Sequence, residues 1–104
     1  MAWFIVVPKL PAAAMAIYPF ILIKRKEYKN DKILVNHEKI HHQQQIELLI
    51  IPFYILYFLN YIINLLLFKS HQKAYLNIMF EKEAYTNEGN LDYKRTRKTF
   101  AAFR

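Results

Sequence analysis

Three side chains within five residues could do chemistry together: His37, Glu38 and His41, in the pattern H-E-x-x-H. On a helix, positions four apart share a face, so His37 and His41 can aim two imidazole nitrogens at one point. Zinc accepts such a pair, and Glu38 beside it can take a proton from a water. Two histidines are half a site, because a catalytic zinc wants a third protein ligand and an open position for water. The chain has no cysteine, so that ligand must be His or carboxylate. Glu81 and Glu83 are the leading candidates, because the third ligand often comes from a later helix packed against the first. His42 and His71 stand outside any motif and read as surface or interface residues.

The elements that must position these groups follow from pattern. Asn30 or Asp31 can cap a helix over about 32–51, on which Leu34, His37, Glu38, His41, Gln44, Gln45 and Leu48 form one face. Gln44 or Gln45 could then bond a substrate carbonyl. Residues 48–68 follow, twenty-one positions without a formal charge, long enough to cross a bilayer. Pro52 predicts a kink or break near the start of this stretch, and Asn60 and Asn64 must face protein or water. A further helix is expected over 74–88, closed by Gly89 in a left-handed turn. Upstream, the apolar residues 1–23 are cut by Pro8, Pro11 and Pro19. The pieces 3–7 and 20–23 suit a short strand pair or an interfacial segment. Ala12 to Ala16 have the small side chains of a cleavage site, but the uncharged start and the prolines argue against a secretory signal. The tail, 91–104, mixes Tyr93, Phe100 and Phe103 with five basic residues, which predicts an amphipathic surface helix.

The motifs resemble those of gluzincin-type zinc metallopeptidases, in which H-E-x-x-H is completed by a downstream glutamate. Glu81-Lys82-Glu83-Ala84-Tyr85 is similar to the E-x-x-A-D of the membrane-bound members, with Tyr85 in the aspartate position. Glu83-Ala84-Tyr85-Thr86-Asn87 looks like the E-A-x-S-D of thermolysin-like enzymes. The resemblance implies zinc held by His37, His41 and Glu81, with Glu83 as the alternate third ligand. It also implies Glu38 as general base, and Asn87 orienting a ligand histidine through its second ring nitrogen. The chain is also similar to small bacterial membrane proteins that combine H-E-x-x-H-x-x-Q with F-E-x-E-A-Y, matched by Gln44 and by Phe80 to Tyr85. No substrate comes with that resemblance.

Composition sets the surroundings. At 104 residues the chain is expected to be one domain, with an N-terminal apolar or β segment over 1–30, a helical metal-site core over 31–90 and a basic amphipathic tail over 91–104. It is 55% hydrophobic, and 15 Lys and Arg outnumber 8 Asp and Glu. An apolar, basic protein suits an anionic membrane, and the uncharged run disfavours nucleic acid. The expectation is a mainly α, zincin-like domain of about four helices with a kinked apolar helix. It would be integral or monotopic in a bacterial inner membrane, acting on a peptide or protein. The alternative is a non-catalytic small membrane protein or zinc-binding module. A straight span over 48–68 would put His37 and Glu81 on opposite sides of the bilayer, so a metal site requires the chain to return.

Overall fold

A computed structural model describes residues 2–104. The domain is mainly helical, with a three-stranded sheet at its N-terminus. Strands β1 (Trp3–Val6), β2 (Ala14–Ile17) and β3 (Phe20–Ile23) lie in the order β1-β3-β2. β1 runs parallel to β3, and β2 runs antiparallel to it across the tight Tyr18-Pro19 turn. Phe20–Ile23 is therefore the centre of the sheet, and β2 is an edge strand that strand propensity did not announce. Its alanines explain why. Ala14 and Ala16 are poor strand formers but small, and both are buried where β2 lies against the first helix. Ala14, Ile21 and Ile23 make a core cluster with Leu34 and Val35 of that helix.

Helix α1 (Lys32–Leu48) starts at Asp31, whose side chain accepts the Leu34 N–H at 3.1 Å. It ends one turn before the proline. Leu49 takes φ 63°, ψ 150°, a conformation unfavourable for a side chain with a Cβ, and α2 (Ile50–Phe68) begins beyond it. Pro52 thus sits in the first turn of α2, where its missing N–H would have had no partner. The break belongs to Leu49, and α2 runs on without interruption.

The expected helix over 74–88 is two. α3 (His71–Leu76) and α4 (Met79–Asn87) are separated at Asn77-Ile78. The asparagines of α2 account for this. Asn60 Oδ1 accepts the free Met79 N–H at 2.7 Å, capping α4, and Asn64 Nδ2 donates to the last-turn carbonyl of Ala74 at 3.1 Å. With Tyr61 bonded to His71 at 2.7 Å, these contacts fold α3 and α4 back along α2. So the chain does return, by doubling back over one face of α2 rather than by a kink within it. The opposite face stays uncovered: Ile51, Ile55, Phe58, Leu59, Ile63 and Leu66 are all exposed, and only 11% of the most apolar stretch is buried. α2 is long and apolar enough to cross a membrane.

α4 ends at Asn87, and Gly89 does not adopt a left-handed conformation, so the glycine closure expected there is absent. The tail is not one helix either. It forms a single turn, α5 (Tyr93–Thr96), and a 3-10 turn at Ala101–Phe103. Between them Arg97 is drawn inward, its side chain only 3% exposed, to pair with Glu47 at 2.7 Å and with Glu83.

Candidate metal centre

α1 and α4 bring His37, His41 and Glu81 together, all buried, with one ligand atom from each within 4.8 Å of the others. Glu81 Oε1 lies 3.0 Å from His37 Nε2 and 3.1 Å from His41 Nε2. Each imidazole is held through its other nitrogen. His37 Nδ1 is 2.7 Å from Glu88 Oε1, and His41 Nδ1 is 2.7 Å from Gln44 Oε1. Such outer partners fix the ring orientation and leave Nε2 free for a cation. The second oxygen of Glu81 accepts the Tyr57 hydroxyl at 2.5 Å.

This donor set fits zinc. Ligands about 2.0–2.1 Å from a tetrahedral ion stand roughly 3.3 Å apart, so the two spacings from Glu81, 3.0 and 3.1 Å, would need to open by only a few tenths of an ångström. Two imidazoles and one carboxylate, with no thiolate, are three protein donors of the types zinc accepts.

Glu83 points elsewhere. It accepts bonds from Gln44 Nε2 at 2.9 Å, from the Tyr93 hydroxyl at 2.6 Å and from Arg97. Asn87 does not touch either histidine: its amide donates to the Glu83 carbonyl one turn back at 2.8 Å. The orienting role falls to its neighbour Glu88, which sequence reasoning missed. The signal was available, since Glu88 lies seven residues after Glu81 and hence two turns along the same helix face. Tyr57 and Arg97 had no comparable signal. His42 lies outside the cluster and donates its Nε2–H to the Phe20 carbonyl of the sheet at 2.9 Å.

Gln45, on the same helix, holds the edge strand. Its side chain accepts the Tyr18 N–H at 2.7 Å and donates to the Ala16 carbonyl at 2.8 Å, and Tyr54 donates to that carbonyl too. β2 is thereby fixed alongside α1, and the outer edge of β2 borders two cavities. One, of about 500 Å³, is walled by Met15, Phe53, Tyr54 and Phe58. The other, of about 340 Å³, is lined by Asp31, His37, Tyr85 and Glu88. Glu38, Ala12, Ala14 and Tyr75 line both, so the two form one groove with Glu38 at its middle.

The electrostatics follow from burial. Glu38 is 6% exposed and its carboxylate makes no hydrogen bond among the described residues; desolvation raises its pKa, with the charges of His41 and His37 opposing. Glu81 is also pushed up by burial, but bonds from His37, His41 and Tyr57 outweigh this and hold it well below the usual carboxylate range. Burial pushes His41 down, yet the hydrogen bond and charge of Glu81 raise it to about 9. Without metal, the pair therefore rests as imidazolium and carboxylate.

No protein-family model, no curated protein and no solved structure matches the chain. The site has to be read from its own geometry.

Two outcomes are expected. Glu81→Gln should lose stoichiometric zinc by metal analysis. Glu83→Gln should keep zinc affinity within about tenfold while costing roughly 2 kcal/mol in a denaturant melt, because it weakens charged bonds to Arg97. The reverse pattern would exchange the two assignments. The second outcome concerns pH. His41 binds its proton more tightly folded than unfolded, so its contribution to stability is complete below its ordinary pKa of 6.5 and is lost as pH rises through about 9. The melting temperature of metal-free protein should fall across that interval. Zinc-loaded protein, whose ligands carry no proton to lose, should not share the decline.

Proposed function

We propose that the chain is a zinc-dependent metallopeptidase seated on a membrane. The observation that carries this reading is the buried convergence of His37, His41 and Glu81 beside Glu38, an unpartnered buried carboxylate that opens onto a groove bordered by a strand edge. Bound zinc would supply Lewis-acid chemistry, making a water more acidic and polarising a carbonyl. Glu38 would take a proton from that water and pass it to the leaving amine. Its raised pKa brings it nearer the working range of a general base and acid.

The remaining groups position and stabilise. Gln45 and Tyr54 already hold the Ala16 carbonyl of the β2 edge, so an extended peptide would pair alongside residues 12–14, of which Ala12 and Ala14 line both parts of the groove. Phe20–Ile23, at the centre of the sheet, is paired on both sides and offers no free edge. Tyr75 lies on the groove with its hydroxyl 3.2 Å from that of Tyr85. Burial and the nearby Glu81 charge push the Tyr75 pKa up, so the hydroxyl keeps its proton and can donate to an oxygen that gains charge. Tyr85 also lies edge-on against His37, with ring centres 4.4 Å apart.

The uncovered face of α2 supports a membrane seat in one leaflet. A spanning α2 would carry α3, with His71 and Lys73, into hydrocarbon along its other face. A helix lying in the interface keeps those groups wet while its exposed stripe is buried. The net charge of +7 favours anionic headgroups.

Glu38→Gln should retain zinc and lower peptide cleavage at least a hundredfold, with chelation by 1,10-phenanthroline abolishing it in the wild type. Cleavage that survives Glu38→Gln would favour a non-catalytic zinc-binding module and an impurity as its source. For the membrane seat, the protein should float with vesicles containing anionic lipid, and Leu59→Lys with Ile63→Lys should leave it in the soluble fraction. Vesicle binding unmoved by that pair would place the contact elsewhere.

A further inference from the structure

The two halves of the groove differ in chemistry, and the difference follows the direction of the membrane face. The larger half opens beside α2. Phe58, 61% exposed, belongs both to the uncovered stripe and to the groove wall, and Met15 faces it from β2. The smaller half lies past Glu38 towards the start of α1, away from α2, and there the lining turns acidic. Asp31 and Glu88 line this half alone and Glu38 is shared with the larger half, whose own carboxylate, Glu81, is taken up by His37, His41 and Tyr57; none of the fifteen Lys and Arg lines either half among the described residues. Glu38 adds a pointer to a ligand, being a side chain more than nine-tenths buried that lines the groove without a partner.

A peptide lying along β2 would meet an apolar wall at one end and a cation-seeking one at the other. We propose that the groove takes peptide segments in which apolar residues give way to a basic residue, as where a chain leaves the bilayer. The apolar side chains pack on Met15, Phe53 and Phe58, and the basic one is received beyond Glu38 by Asp31 and Glu88. The inference rests on the peptidase reading for what happens next, but the binding preference does not need cleavage. It also runs against the whole-molecule charge. At +7, the protein should by itself repel a basic peptide and attract an acidic one.

Binding is therefore measured on the full chain, metal-free in a neutral maltoside detergent, by fluorescence anisotropy of labelled peptides. A peptide with leucines followed by lysines should bind at least tenfold tighter than one with leucines followed by glutamates, and tighter than serines followed by lysines. Asp31→Asn keeps an oxygen to cap α1 and removes the charge, so it should weaken the leucine–lysine peptide severalfold. Phe58→Asp, at an exposed position, should erase the preference for leucine over serine. Equal binding of the lysine and glutamate peptides, or the order set by net charge, overturns the proposal. So does a leucine preference that survives Phe58→Asp. If the preference holds but the zinc-loaded protein cuts nothing, the groove stands and the peptidase reading falls. If peptides are cut without any preference, the peptidase reading stands and the groove proposal falls.

Discussion

A carboxylate in the interior is costly unless its oxygens are matched, and Glu81 is the carboxylate this fold is arranged to match. One oxygen faces both histidines and the other takes the Tyr57 hydroxyl. Those three partners come from two helices far apart in sequence from Glu81. Each connection between them is built to keep the appointment. Leu49 breaks α1 from α2 so that Tyr57 can stand over the end of the histidine face. Asn60 caps α4 so that Glu81 falls in its first turn, close to the level of Tyr57. The two asparagines, expensive in an apolar helix, are thus repaid by setting the register of the returning segment.

Much of the centre was legible because it depends on helix periodicity alone. His37, Glu38, His41 and Gln44 share a face whatever the fold does, and Asp31 caps their helix as a local matter. The choice between Glu81 and Glu83 was not legible. Both sit in α4, two residues apart, and only the rotation of that helix decides which faces α1. That rotation is set by partners elsewhere, by Asn60 at one end and by Arg97 from the tail. The same limit hid β2, whose alanines are chosen for closeness to α1 rather than for strand propensity. It also hid the break at Leu49. Pro52 drew attention to itself, although a proline in the first turn starts a helix rather than stopping one.

The tail shows the same conflict between local pattern and tertiary demand. Its spacing of aromatic and basic residues reads as a surface helix, yet Arg97 is withdrawn into the protein to meet Glu47 and Glu83. A buried guanidinium is tolerable only with such carboxylates around it. The tail therefore forms turns on either side of Arg97 and leaves Phe103 to pack on Phe80, with ring centres 5.8 Å apart.

Gln44 is where these two buried charge systems meet. Its oxygen faces His41, while its amide donates to Glu83 and to the Phe80 carbonyl. An amide has donors on one side only, so the carboxylate of Glu83 fixes which way Gln44 is turned and hence presents an acceptor to His41 Nδ1. That acceptor favours the tautomer with the proton on Nδ1 and the lone pair on Nε2, the form a zinc ion requires. Glu83 thus reaches the centre through an intervening amide. Its place two residues from Glu81 fits two different jobs on neighbouring faces of one short helix, Glu81 facing the histidines and Glu83 turning Gln44.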